Sequence, residues 1–407
     1  MADGHRLTTG PKPGGCNRRA LSGARCGLCL RQSVNAAITI SALLLVGAGG
    51  DPAAAQDARP GAKLKRVGGL SQFSRSENGT VPLPTAAKLR QDVLRYVESL
   101  RVQGPGTPYG VYRPAPSQAP SLYASCDAAL VRYILRDLDV SPLQRRQWID
   151  HINGFQDPKT GKYPAERFLH LFGRTVRALN ALGGKPKHPA AFLRRWDDPE
   201  AAKRWMEGLS WQSPWEPSIQ VLHVAAPRGA AAAMDRKGRR REAEWLSGVL
   251  DWLGARQDPK TGLWGPDRGA STFDGMGASF HFLPLYEAAD RTMPRGRQIV
   301  DATLAIQKSK HGTWGGVYAD MDAVSLLAYF YVREDYRRDD VQQSLRTSIE
   351  LLFKTAYDPK TGAFGDLANT VGACEHLAEA AAVLKDHPYS GIGWRRAWDW
   401  RLWKCRW

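Results

Sequence analysis

A short motif that recurs at a fixed interval constrains the fold of this chain more than any other feature. Asp-Pro-Lys-Thr-Gly occurs three times, and a weaker copy lies between the last two, so that the four motif glycines are Gly161, Gly262, Gly312 and Gly362. The last three are spaced 50 residues apart, and the first precedes the second by 101 residues. A constant period of about 50 residues is typical of a protein built from repeated structural units.

The motif has the chemistry of a tight turn. The residue before a proline is disfavoured in helical conformation, so a helix should end just before each copy. Aspartate, proline and glycine then each favour a turn for a different local reason. An aromatic residue follows two positions after each motif glycine, and we expect it to wedge between neighbouring units: Tyr163, Trp264, Trp314 and Phe364.

Helical periodicity flanks every turn and predicts six helix pairs. The first helices are expected at 85–102, 145–155, 198–209, 245–253, 297–307 and 341–352, and the second at 126–138, 166–182, 218–226, 273–290, 320–332 and 370–385. The second helices are more apolar all round, which is typical of buried helices. The sequence therefore predicts an all-α fold, a single (α/α)6 toroid of about six 50-residue repeats, rather than an open solenoid with polar caps.

The N-terminal region has the pattern of an export signal. Basic residues precede an apolar run at 36–47, and Ala53-Ala54-Ala55 follows as a small-residue cleavage site. We predict an export segment at 1–55, a flexible linker at 56–83 and the toroid at 84–407. The protein is expected to be periplasmic or secreted, and an uncleaved N-terminal membrane anchor is the alternative.

The net charge of +17 does not come with a nucleic-acid-binding motif, so no nucleic-acid partner is expected. The C-terminal segment is basic and holds five tryptophans: Trp394, Trp398, Trp400, Trp403 and Trp407. We predict that it closes the ring by packing on the first unit. Peripheral membrane contact through these aromatic and basic residues is the alternative.

The turns between an outer and an inner helix resemble those of the terpenoid cyclase and protein prenyltransferase superfamily of α/α toroids, over residues 84–390. Gln257, Gly262 and Trp264 are similar to the glutamine–tryptophan repeat of squalene–hopene cyclases, with one extra residue before the glycine. The resemblance implies the toroid fold and an isoprenoid or other lipid-like substrate.

Two short stretches extend the resemblance to site residues. Asp320-Met-Asp322-Ala323 resembles the acid motif of class II cyclases, which would make Asp322 the proton donor and Asp320 its neighbour, although Ala323 replaces the last aspartate. Cys374 and His376 resemble the zinc ligands of prenyltransferase β-subunits. No cofactor is predicted, and zinc is the alternative that this second resemblance implies.

Polar residues at the starts of the inner helices are the candidate catalytic groups, because these starts should surround one opening of the ring. Gly277 to His281 and Gly372 to His376 share the pattern Gly-Ala-x-x-His, which predicts both histidines at a similar height. The predicted site comprises Asp274, His281, Asp320, Asp322, Glu375 and His376. Carboxylates beside histidines can serve as general acids and bases. Helix capping by the aspartates is the structural alternative.

Three functions are compatible with these residues. The first is an exported enzyme acting on a polysaccharide, either a hydrolase with two carboxylates or a lyase that uses a base beside a cation, with Tyr286 and Tyr318 near the ring. The second is a terpenoid-cyclase-like enzyme acting on an isoprenoid or lipid. The third is a binding scaffold without catalysis. Fold alone does not decide among them.

Overall fold

A computed structural model describes residues 83–165, 167–234 and 240–405, and these residues form twelve α-helices and no strand. The predicted export segment, and the predicted linker up to residue 82, lie outside the described residues. Six helices alternate along the chain with six more buried ones. The less buried set is α1 (Ala86–Ser99), α3 (Pro142–Asn153), α5 (Pro199–Glu207), α7 (Arg240–Gly254), α9 (Gly296–Ser309) and α11 (Arg338–Thr355).

The more buried helices form a closed inner ring. They are α2 (Leu122–Ile134), α4 (Phe168–Ala181), α6 (Trp215–Met234), α8 (Thr272–Ala288), α10 (Val317–Tyr331) and α12 (Leu367–Val383). Each contacts the next, and α12 contacts α2. These contacts confirm the predicted all-α (α/α)6 toroid. Within the described ranges, no helix is both long and apolar enough to span a membrane.

Burial separates the two rings as the sequence pattern predicts. In α10 every residue from 319 to 330 is buried, and most of them are apolar, as expected for a helix enclosed on all sides. The outer helix α9 buries one face instead, including Ile299, Val300 and Ile306. The outer helices therefore shield the inner ring from solvent, and the inner ring encloses the lumen.

Hydrogen bonds from the repeated turn join each unit to itself and to its neighbour. The Trp264 indole donates to the Leu253 carbonyl and the Trp314 indole to the Thr303 carbonyl, each at 2.8 Å, so the aromatic ties the turn to its own outer helix. The Gln257 amide donates to the Pro294 carbonyl just before the next outer helix at 2.8 Å. The aromatics are buried, and the ring contacts of Trp264 with Phe282 and of Phe364 with Phe353 lie within one unit, so a wedge between units stays a prediction.

The motif glycines dock against the next unit and require the absence of a side chain. At Gly262, whose φ is +70°, an added Cβ would lie 2.8 Å from the Arg295 carbonyl oxygen and from Ile299 in α9. At Gly362, an added Cβ would lie 2.7 Å from the backbone of Asp92 in α1. The last turn therefore docks on the first helix, and this contact closes the ring.

The third unit departs most from the pattern. Its inner helix α6 runs over 20 residues, beyond the predicted 218–226, and passes through Pro227. Its outer helix α5 is short and follows a 3-10 turn at Ala191–Trp196. A proline normally interrupts a helix, but burial of the alanine-rich segment 225–232 against neighbouring helices outweighs that local cost.

The C-terminal segment, residues 394–405, contacts the first unit, where it was predicted to pack, but most of its contacts are with other units. Its 3-10 turn at Trp400–Trp403 contacts α4, α6 and α8 of the inner ring. The Arg395 amide donates to the Ile134 carbonyl at the end of α2, at 2.9 Å. The segment thus crosses the ring at the C-terminal ends of the inner helices. Trp407 lies outside the part of the chain that is described.

We predict that Gly262→Ala lowers the free energy of unfolding by about 1–3 kcal/mol, because alanine is strained at positive φ and its Cβ meets the next unit. Gly248→Ala is the matched control, since this helical glycine of α7 has open space around it. The control should gain about 0.5–1 kcal/mol. Urea denaturation measures both, and equal stability of the two variants would contradict the docking role of the turn.

Candidate active site

The N-terminal ends of the inner helices lie side by side around one opening of the lumen, which we call the mouth. At the start of α2 the Tyr123 hydroxyl is hydrogen-bonded to Nδ1 of His170, at the start of α4, at 2.9 Å. The Tyr318 hydroxyl of α10 donates to the Ala368 carbonyl of α12 at 2.8 Å. Side chains at neighbouring helix starts therefore contact each other around the ring.

The mouth is lined by aromatic rings that remain accessible. Trp215 of α6 and Phe273 of α8 have ring centroids 5.5 Å apart, and the Lys310 ammonium lies 4.3 Å from the centroid of Phe273. Tyr318 keeps 37% of its surface exposed. Aromatic side chains with a few polar groups are a usual lining of a small-molecule site.

A second layer of polar side chains lies one helical turn below the mouth. Asp127, Arg174 and Asp322 each follow a mouth residue by four positions, and so share its helix face. Asp127 Oδ1 and Arg174 Nε form a buried ion pair at 2.6 Å. Burial raises the pKa of Asp127, and the Arg174 charge opposes that shift. Burial disfavours the charged form of Arg174, but Asp127 raises the pKa of this guanidinium overall.

Asp322 is the unpaired carboxyl group of this layer. Its side chain is buried, with 2% relative exposure, and it forms no hydrogen bond or ion pair with another described residue. Burial raises the pKa of Asp322 well above its usual value, and the negative charge of Glu375 raises it further. Burial and the nearby negative charge therefore both favour the protonated form of Asp322.

A third layer fixes Glu375 between an arginine and a tryptophan. Glu375 Oε1 accepts a hydrogen bond from Arg177 at 2.7 Å, and Oε2 accepts one from the Trp398 indole at 2.7 Å. The Arg177 guanidinium also lies 4.0 Å from the centroid of the Trp398 ring. Burial lowers the pKa of Arg177, and the Glu375 charge opposes that shift. Both carboxylate oxygens of Glu375 are thus occupied.

Histidines complete the wall on the side of α6 and α8. His281 Nδ1 is hydrogen-bonded to the Ser218 hydroxyl at 2.9 Å, and His223 Nδ1 to the Ile219 carbonyl at 2.6 Å. Burial lowers the pKa of His223 and of His281 to about 3 each. The two imidazoles are therefore neutral near pH 7 and can act as hydrogen-bonding groups rather than as cations.

The structure brings only part of the predicted site together. Asp322, Glu375 and His281 lie in the lumen wall. Asp320 instead accepts hydrogen bonds from the Trp314 amide at 2.6 Å and from the Thr313 hydroxyl at 2.8 Å, so its carboxylate holds the turn. Asp274 accepts a 2.8 Å hydrogen bond from the Ser271 hydroxyl at the start of α8. The two aspartates at these helix starts therefore stabilise local structure.

His376 faces outward, away from the lumen. Its Nε2 is hydrogen-bonded at 3.0 Å to the hydroxyl of Ser348, which belongs to the outer helix α11. Although His281 and His376 share the Gly-Ala-x-x-His spacing, His281 has an inner-helix partner and His376 has an outer-helix partner.

Cys374 is fully buried, and burial raises its pKa. No three His, Cys, Asp or Glu side chains in the described residues could together hold a metal ion.

Sequence reasoning missed five lumen residues: Tyr123, Asp127, Arg174, Arg177 and Trp398. A detectable signal existed for three of them, because Asp127, Arg174 and Arg177 are charged residues within otherwise apolar inner helices. A fully buried charge is rare unless it is paired. No local pattern placed Trp398 in the lumen, since its position depends on the path of the C-terminal segment.

Tyr286, predicted near the ring, is buried, and its hydroxyl lies 4.0 Å from where a Cβ atom would stand on Gly254 of the outer helix α7.

Comparison with known proteins gives few matches. No protein-family model matches the chain, and no curated protein matches it. One similar solved structure is the GH76A α-1,6-mannanase from Salegentibacter sp. HEL1_6, with a TM-score of 0.42 and 12% identity over 74% of this chain and 99% of that one. Another is an inactive variant of that mannanase in complex with α-1,6-mannotriose, with a TM-score of 0.39, 12% identity and the same coverage. The toroid assignment rests on the helix contacts of this chain.

We predict that His376→Gln weakens the pH dependence of stability. Burial lowers the folded-state pKa of His376 to about 3, so below pH 6.5 the unfolded chain binds a proton that the folded chain does not. As the pH decreases from 6 to 5, the free energy of unfolding of the wild type should decrease by about 1.4 kcal/mol more than that of the variant. Urea denaturation at each pH measures this difference. The exposed His311→Gln is the control, and equal slopes for all three proteins would contradict the prediction.

Proposed function

We propose that this protein is an exported glycoside hydrolase that cleaves a polysaccharide in the ring lumen, below the mouth. The observation that supports this proposal most directly is the pair Asp127 and Asp322. Both carboxyl groups lie one helical turn below the mouth and within electrostatic reach of Glu375. One is paired with an arginine, and the other has no partner among the described residues.

Different surroundings give the two carboxyl groups different roles. Burial raises the pKa of both carboxyl groups, but the Arg174 charge opposes this rise at Asp127, and such a difference in surroundings can separate an acid from a base. Asp322, which can hold a proton, gives it to the glycosidic oxygen as the bond to the anomeric carbon breaks. Asp127, which is paired with Arg174, accepts a proton from the water whose oxygen joins that carbon.

The chemistry of the mouth fits a sugar chain. Trp215, Phe273 and Tyr318 offer partly exposed aromatic faces, which can stack on the apolar faces of pyranose rings. Tyr123 and His170 offer a hydroxyl and an imidazole to sugar hydroxyl groups. The predicted export signal supports the same reading, because a polysaccharide substrate lies outside the cytoplasm.

We predict that Asp322→Asn and Asp127→Asn each lower kcat for polysaccharide cleavage by about 10²–10⁴-fold, the usual contribution of a general acid or base. Released reducing ends measure the activity on a panel of neutral and acidic polymers that includes α-1,6-mannan. Asp251→Asn is the control, because Asp251 lies on the outer surface in an ion pair with Arg291. Full activity of Asp322→Asn would remove Asp322 from the mechanism.

A specific observation favours a lyase as the second candidate. The Tyr123 hydroxyl and His170 Nδ1 are 2.9 Å apart, and the charges of Arg174 and Arg167 act on Tyr123. A lyase would remove the C5 proton of a uronate with this pair while an arginine neutralises the carboxylate. The C4–oxygen bond would then break, leaving a double bond in one product and a hydroxyl in the other.

Tyr123→Phe separates the two candidates. A hydrolase should keep most of its kcat in this variant, because the hydroxyl would only contribute to binding. A lyase should lose about 10²–10⁴-fold, the contribution of acid–base catalysis. The ultraviolet absorbance of the conjugated uronate product provides the second readout. Absorbing product that disappears in Tyr123→Phe would favour the lyase and contradict the hydrolase.

A terpenoid-cyclase-like activity is the third candidate, and Asp322 supports it as well. A buried carboxyl group that holds a proton beneath aromatic walls could protonate an alkene, and aromatic faces stabilise the cation that forms. An isoprenoid or lipid substrate would also suit peripheral membrane contact. Thermal stabilisation by isoprenoid diphosphates but not by oligosaccharides would favour this candidate. Stabilisation by oligosaccharides without turnover would indicate a binding scaffold.

A further inference from the structure

We propose that a cavity beside the turn of the second unit is a binding site for one sugar of the polysaccharide, outside the lumen and without a catalytic role. The cavity has a volume of about 540 Å³, and its lining includes Phe155, Asp157, Lys162, Pro164 and Phe168. Small-molecule sites usually measure about 300–1,000 Å³. We call this space the turn cavity. The inference rests on the proposed function for the identity of the ligand.

The turn cavity lies beside the mouth. Phe168, which lines it, is the first residue of α4, and His170 of the mouth follows two positions later. Arg167, the residue before Phe168, forms an ion pair with Glu216 at the start of α6. The cavity and the mouth therefore share the start of α4, so a polymer bound in the cavity is held next to the mouth.

The turn itself does not require Lys162. In the fourth and sixth units the same position holds Leu263 and Ala363, and both are buried. Lys162 is partly exposed, and its ammonium lies 4.5 Å from the centroid of the Phe168 ring. It forms no ion pair with another described residue. An unpaired lysine in place of a buried apolar side chain indicates a role other than stabilising the turn.

Two aromatic rings of the cavity are held in place from behind. Phe155 keeps 41% of its surface exposed, and the other two full copies of the motif have an arginine and an alanine at its position. Its ring contacts the His151 imidazole edge to face, with a centroid separation of 5.3 Å. Phe168 contacts Phe192 in the same way at 5.5 Å. Both rings are therefore fixed, and a ligand would not have to order them.

A proline at the end of the turn accounts for the open space. The other three units that carry the motif have a glycine here: Gly265, Gly315 and Gly365, with φ values of +100°, +130° and +90°. The ring of Pro164 holds its φ at about −65°. The chain therefore leaves the second turn in a different direction, and Pro164 lines the cavity that this path leaves.

The lining of the turn cavity matches the chemistry of a pyranose ring. Such a ring has apolar C–H faces that can stack on Phe155 and Phe168, and hydroxyl groups that both donate and accept hydrogen bonds. The Lys162 ammonium can donate. Asp157 Oδ2 can accept, because the turn amides and the Thr160 hydroxyl all donate to Oδ1. The lining holds one positive and one negative side chain, so the ligand needs no charge of its own.

The experiment measures kcat and KM of Lys162→Leu and Phe155→Ala on a polymer that wild type cleaves. We expect KM to rise about 3–10-fold in each variant, as for the loss of one hydrogen bond or one ring contact. The kcat should not change, because the cavity lies outside the catalytic layer. Lys162→Leu introduces the residue that the fourth unit has at this position, so the turn should still fold.

Lys159→Ala is the matched control, because it removes a lysine of the same turn that does not line the cavity. Its KM should equal that of wild type. Urea denaturation shows whether each variant is folded. If Phe155→Ala is not, Phe155→Arg makes the same test with the residue that the fourth unit has at this position.

Further outcomes separate this inference from the proposed function. An unchanged KM in both cavity variants, or a loss of kcat alone, would overturn the sugar site and leave the hydrolase standing. If wild type binds a polymer without cleaving it, calorimetric titration replaces KM. Weaker binding by the cavity variants than by Lys159→Ala would then support the site and refute the hydrolase. No binding of any neutral or acidic polymer, α-1,6-mannan included, would refute both.

Discussion

The docking of each turn glycine on the next unit is the contact on which the ring depends. At Gly262 and Gly312 the backbone reaches the next outer helix so closely that a Cβ would meet it at 2.8 Å. Gly362 makes the equivalent approach to Asp92 in the first helix. Because the same docking recurs, each of these turns holds its unit directly against the next one. Closure follows when the last turn meets the first helix, without a capping repeat.

A closed inner ring forces its polar side chains into a confined space. Charged groups that leave water must be paired, because an isolated buried charge is costly. The lumen accordingly holds the pairs Asp127–Arg174 and Arg177–Glu375, with separations of 2.6 and 2.7 Å. Asp322 lacks such a pair in the part of the chain that is described, and burial raises its pKa instead. Asp322 thus differs from the other carboxyl groups of the lumen in its surroundings, although the functional group is the same.

The C-terminal segment connects stability to the site. Arg177 binds both Glu375 and the carbonyl of Ala397, and Trp398 binds Glu375 from the other side. Removing one partner of a buried ion pair is usually more destabilising than the pair itself is stabilising. The segment and the buried arginine therefore depend on each other, and the arrangement of the lumen depends on a part of the chain that follows the last repeat.

The repeat, the helix pairs and the toroid could be predicted from the sequence alone, because period, turn chemistry and amphipathicity are local properties that each unit repeats. The sequence also singled out as candidates Asp322, near the start of α10, and Glu375, in the middle of α12. The direction in which each side chain faces depends on how the helices pack: His281 and His376 share one motif, yet one is hydrogen-bonded to Ser218 and the other to Ser348. Helix rotation and rotamer depend on packing between units, which sequence spacing does not fix. The same holds for Trp398 and Trp403, whose place in the lumen is set by contacts with helices more than a hundred residues away.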